Sequence, residues 1–113
     1  MTQCERLKSY LTEHDAIDPM TAWTALGIYR LGARIFDMKA SGIKIISDTV
    51  SVKNRFGEEC RVASYSMSLA QRLEYMEFER TTLKMPEQVA RYNELTAKIA
   101  NLRTRVERMA VKS

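Results

Sequence analysis

Long apolar runs are missing from this chain of 113 residues. None approaches the roughly 18 residues that a bilayer-spanning helix needs, so no membrane segment is expected. The opening Met1-Thr2-Gln3-Cys4-Glu5 has neither the basic flank nor the apolar stretch of a secretory signal. The expectation is a soluble, cytoplasmic protein. Metal-binding residue types are scarce. Cys4 and Cys60 stand far apart and form no C-x-x-C pair, and His14 is the single histidine. A metal site would lack ligands, and both cysteines read as reduced structural residues. There is no phosphate-cradling glycine loop, and one histidine without a neighbouring nucleophile makes no catalytic triad. No enzymatic activity and no cofactor are therefore expected.

What is present is ordinary for a globular protein: 45% apolar and 28% charged residues. The length suits one compact domain and an appendage. The net charge is +4, unevenly spread. Residues 1–67 hold nine basic and eight acidic side chains, and residues 68–113 hold nine and six. A nucleic-acid-binding front part must therefore segregate its charges, acids to one side and arginines to another.

Local signals divide the front part into three helices and a hairpin. Thr2 and Glu5 form a capping box for a first helix that runs to about Glu13 and buries Leu7 and Leu11. Asp18 is an N-cap and Pro19 suits the first position of a second helix, which Gly27 ends near Leu26. A third helix is predicted from Ile28 or Tyr29 to Ser41, with an apolar stripe of Ile28, Leu31, Ile35 and Met38 and Gly42 as its stop. Two helices joined by so tight a glycine turn are the signature of a helix-turn-helix. The period then shifts. Lys44–Lys53 and Glu59–Met67 alternate as strands around the loop Asn54-Arg55-Phe56-Gly57-Glu58. Three helices and a hairpin follow the order of a winged helix. One hairpin face is expected to pack on the helices, because an isolated hairpin is marginal in water.

On the third helix, Arg30, Ala33, Arg34 and Asp37 share the strip opposite the stripe, with Tyr29 near the N-terminal end. Arginine bonds guanine O6 and N7 bidentately in the major groove, and a small Ala33 permits close approach. Against this stands the plain alternative that Arg34 pairs with Asp37. Lys53, Asn54 and Arg55 form a basic hairpin tip suited to DNA backbone or minor groove. Phe56 either folds back on the hairpin or touches DNA or a partner. Lys39 and Lys44 are candidate phosphate contacts. Trp23 reads as core, packed between the first and third helices.

Residues 68–113 read as two helices. Ser68 and Gln71 suggest a cap for the first, from Leu69 to about Thr82, with Leu69, Leu73, Met76 and Leu83 apolar. Pro86 starts the second, which runs to about Ala110. Its Tyr92, Leu95, Ile99, Leu102, Val106 and Met109 repeat as a heptad seam. Arg91, Lys98 and Arg105 flank that seam at one heptad position, and Arg103 at another. A simple two-stranded pairing of this helix with its own copy is therefore repulsive. Glu74, Glu77 and Glu79 on the preceding helix offer the opposite sign, which favours a helical hairpin or a four-helix arrangement of two chains. Both sets of apolar residues are candidates for a homodimer contact. Arg103, Arg105, Arg108 and Lys112 form a basic end that adds nonspecific attraction to phosphate.

The stretch Ala25-Leu26-Gly27-Ile28-Tyr29-Arg30-Leu31-Gly32-Ala33-Arg34-Ile35, with Asn54-Arg55-Phe56-Gly57-Glu58 and then Ala63 and Tyr65, resembles a winged helix-turn-helix family frequent in bacteriophages and prophages. The resemblance covers residues 3–67. It implies DNA binding in transcriptional control, with Tyr29, Arg30 and Arg34 at recognition positions. The expected fold is mainly α with a small antiparallel β-hairpin: a winged helix-turn-helix over residues 1–67, then a two-helix dimerisation extension over residues 68–113. The expected function is a dimeric, sequence-specific regulator of double-stranded DNA. The alternative is a module that binds and blocks a host protein, favoured by the weak charge of residues 1–67 and by Phe56.

Overall fold

The computed structural model describes residues 2–111, and the chain divides into two compact units between Ser68 and Leu69. The first unit opens with α1 (Gln3–Glu13). Thr2 Oγ1 accepts the Glu5 amide at 3.1 Å and Glu5 Oε2 accepts the Thr2 amide at 2.9 Å, so two otherwise orphaned donors are satisfied together. Leu7 and Leu11 are fully buried one turn apart. His14 caps the end and stacks on Tyr10, with ring centroids 4.1 Å apart.

In α2 (Pro19–Leu26), Asp18 Oδ1 accepts the Thr21 amide at 2.7 Å. Gly27 then takes a φ of +66°, which glycine adopts without a Cβ penalty. Its amide donates to Trp23 O, and the Ile28 amide reaches back to Ala22 O at 2.9 Å. The first of these is the 5→1 bond of an αL helix stop, and the second reaches two residues further back than a helical bond. It carries Ile28 into the core while the chain is still outside any helix.

That closure corrects the predicted start of the third helix. α3 is Leu31–Ala40, and Arg30 is its N-cap with φ −117° and ψ 71°. Ile28 is buried three residues before Leu31, so it mimics a helical stripe from within the turn. Leu31, Ile35 and Met38 form the buried face of α3 itself. Ser41 and Gly42 close the helix, Gly42 with a φ of +97°.

β1 (Ile45–Lys53) and β2 (Glu59–Met67) pair antiparallel from Ile45 opposite Met67 to Lys53 opposite Glu59. Ile17, in the α1–α2 link, exchanges both backbone bonds with Tyr65 at 2.9 Å, so β2 is bonded on both sides there. The expectation that a hairpin face packs on the helices holds only near the base. β1 is exposed from Ile46 to Lys53, Val50 and Val52 included, whereas β2 is half-buried from Val62 to Ser66 and buried at Met67.

In the second unit, α4 (Leu69–Thr82) and α5 (Val89–Val111) pack on each other as a helical hairpin. Met76, Leu95, Ile99 and Leu102 are buried between them, with Leu69, Leu73 and Leu83 packed alongside. Pro86 starts a single 3₁₀ turn, Pro86–Gln88, rather than α5. The Gln88 Oε1 accepts the Lys84 and Met85 amides, both at 3.1 Å, and this fixes the turn. The acids of α4 meet the bases of α5: Arg91 Nε and Nη2 donate to Glu79 at 2.7 and 3.1 Å, and Arg103 bonds Glu77. No helix among the described residues is long and apolar enough to cross a membrane.

Candidate nucleic-acid interface

The outer strip of α3 is built mostly of small residues. Gly32, Phe36 and Ala40 recur every fourth position and are exposed, with Ala33 half-buried beside them. Phe36 is 72% exposed, although its residue type alone points to the core. Its four-residue spacing from Gly32 was the available signal.

Two arginines border the strip. Arg30, exposed at the N-cap, lies before the helix and not on its strip, since the chain there is still non-helical. Arg34 is half-buried, and its Nη2 lies 3.2 Å from Asp37 Oδ2. The Arg34 Nε is buried without a hydrogen-bond partner. The alternative weighed from sequence, an Arg34–Asp37 pair, is the arrangement present.

Tyr29, strongly exposed, is likewise off the helix. Trp23 meets it edge-on, with ring centroids 4.9 Å apart and planes at 77°. Trp23 is 52% exposed, so its predicted place in the core is corrected. The reason lies in α2, which buries only Ala22 and turns Met20 and Trp23 to the surface. No charged residue occurs in Pro19–Leu26.

At the hairpin tip, Asn54 is the organiser. Its Oδ1 accepts the Phe56 amide at 2.9 Å and the Glu58 amide at 3.1 Å, and its Nδ2 donates to Cys60 Sγ at 3.5 Å. That side chain is committed to holding the turn, with Gly57 at φ +77° completing it. Phe56 does not fold back on the strands: it is 72% exposed, and the Arg55 guanidinium carbon lies 5.2 Å from its ring centroid. Lys53 and Arg55 are exposed. Lys39 reaches from α3 to β1, donating to Ser47 Oγ at 2.9 Å, and Lys44 is exposed beside Gly42.

The charges of the first unit are segregated along the chain. Residues 1–29 carry four acids against Arg6 and Lys8, whereas residues 30–67 carry seven basic side chains against four acids. Arg6 is turned to structural use, its Nε donating to Leu26 O at 3.0 Å. The basic half is thus the half containing α3 and the hairpin. No group of three or more histidine, cysteine or acidic side chains that could hold a metal occurs among the described residues.

The proposed dimer residues divide into two sets. Met76, Leu95, Ile99 and Leu102, with Leu69, Leu73 and Leu83, are taken up by the hairpin of their own chain. Tyr92, Val106 and Met109, from the same seam, are exposed. Arg103, Arg105 and Arg108 are exposed on α5, and Lys112 lies outside the described residues.

A family model described as a winged helix-turn-helix domain matches residues 2–70, more than half of the chain. No curated protein matches it.

Proposed function

We propose that this chain, which belongs to the winged helix-turn-helix family, is a sequence-specific binder of double-stranded DNA that acts as a dimer in transcriptional control. The observation that carries this reading is the outer strip of α3. Gly32, Ala33 and Ala40 keep it low, Phe36 stands on it, and Arg30 and Arg34 border it within the basic half of the unit. A strip of small side chains lets a helix sit deep in the major groove. Alanine and phenylalanine suit contact with thymine methyl groups, and arginine suits guanine. Lys53 and Arg55 at the wing tip suit phosphate or minor groove. Asn54 supports the wing rather than touching DNA.

A dimer fits a module with so few contacts, because two linked half-sites bind more tightly than one. Exposed seam residues on α5 leave apolar surface for it. The setting in a phage or prophage, and in the cytoplasm of its host, rests on the family resemblance of the first unit. The test is selection from random duplexes, followed by binding measured against salt. A selected sequence is expected, with affinity falling steeply as salt rises. Failure to enrich any sequence, together with salt-independent affinity, would sink the reading.

One observation favours the protein-binding alternative. The uncharged α2 exposes Met20 and Trp23 beside Tyr29, an apolar corner unlike a phosphate-facing surface. Under that reading, Trp23→Ala abolishes partner binding that persists at high salt.

A further inference from the structure

The end of the helical hairpin where α4 turns into α5 carries an apolar surface that is exposed among the described residues. Leu83, Met85, Val89 and Tyr92 wall a shallow open pocket of about 370 Å³. Met85 is 57% exposed and Val89 54%. The nearby charges are mostly settled. Arg91 is bonded to Glu79 and Glu94, and Arg80 lies over the Tyr92 ring and donates to Thr96. Lys84 and Glu87 are left. Both are exposed, and among the described residues neither side chain has an ion pair.

From this the geometry points to a second copy of the chain as the occupant, docked through the α4–α5 turn about a twofold axis. The inference rests on the dimer reading above and names its contact. In a twofold contact the same patch serves both partners, so a residue and its counterpart exchange roles. One basic and one acidic side chain, three residues apart beside an apolar pocket, fit that requirement: Lys84 of each copy meets Glu87 of the other. Met85 is flexible and suited to filling an irregular pocket. Val106 and Met109, the exposed seam residues farther along α5, lie outside this contact.

The experiment measures the mass of the full chain by light scattering over a range of concentrations, with far-UV circular dichroism confirming that each variant is helical. Wild type is expected to dimerise. Lys84→Glu and Glu87→Lys each create two like-charge confrontations and weaken the dimer about tenfold. The double exchange K84E/E87K restores it. Met85→Asp, an exposed position, also gives monomer, whereas Val106→Asp stays dimeric. Dimers unaffected by the charge exchanges and by Met85→Asp, or dimers lost only with Val106→Asp, overturn this contact and leave the dimer reading standing. Wild type that is monomeric at every concentration removes both.

Discussion

Arg34 and Asp37 stand three residues apart on α3 with Nη2 3.2 Å from Oδ2, and the Nε of the same guanidinium is buried without a partner. The arginine is held by an acid on the face proposed to meet DNA. A pair this open to solvent on the Asp37 side is worth little to stability, on the order of 0–1 kcal/mol. The pair therefore matters more for orientation, and Arg34 can exchange Asp37 for a DNA acceptor at small cost.

Binding measurements on a selected duplex separate the two partners. Arg34→Ala is expected to cost about 1–3 kcal/mol in specific affinity. Asp37→Asn removes a negative charge from the face proposed to meet DNA and releases Arg34, so affinity is expected to rise about threefold to tenfold, most at low salt. Wild-type affinity in both variants would show that this part of α3 faces away from DNA.

The wing tip depends on one side chain. Asn54→Ala removes the acceptor for the Phe56 and Glu58 amides, at an exposed site where the loss is about 1 kcal/mol or less. Hydrogen exchange should rise at those two amides while the global denaturation midpoint barely moves. Asn54→Asp keeps the acceptor and should restore protection.

Trp23 is the chain's single tryptophan and reports on the helix-turn-helix corner. Its emission should be that of a half-exposed indole, open to a neutral quencher. Tyr29→Ala uncovers one edge and increases quenching. A bound duplex that covers Tyr29 decreases it. A duplex that binds without changing the quenching confines the DNA contact to α3 and the wing.

Acid should weaken α5. Lys98 donates to the Glu94 carboxylate at 2.8 Å, and this hydrogen bond and charge, with a smaller contribution from Arg91 at 3.0 Å, hold its carboxyl below the usual carboxylate range. A carboxyl depressed in the folded state stabilises above its unfolded pKa, and that contribution disappears as pH falls through the folded value. Glu94→Gln should flatten the fall of helicity on the acid side, read by circular dichroism. The effect is small, because the group is open to solvent. An unchanged acid profile would show that the Glu94 contacts do not hold the helix.

Element boundaries were legible where the signal is local. Asp18, Pro19 and Gly27 frame α2, and Asn54 and Gly57 place the wing turn. The start of α3 was misread because Ile28 is apolar at helical spacing from Leu31. Spacing alone does not reveal that the αL closure at Gly27, and not a helix, brings it inward. The candidate site was legible in residue type but less so in use. Arg34, Asn54 and Lys39, each a candidate for DNA contact, all bond within the chain.

The sequence by itself determined the order of three helices, a hairpin and two more helices, because caps, glycine turns and periodicity act between residues a few positions apart. Tertiary structure alone decided which apolar side chains are covered. Trp23, Phe36, Val50 and Val52 are outside, and half of the α5 seam is spent on α4. Burial depends on what stands opposite a side chain in space, and an apolar pattern tells which residues share a face without telling what that face meets.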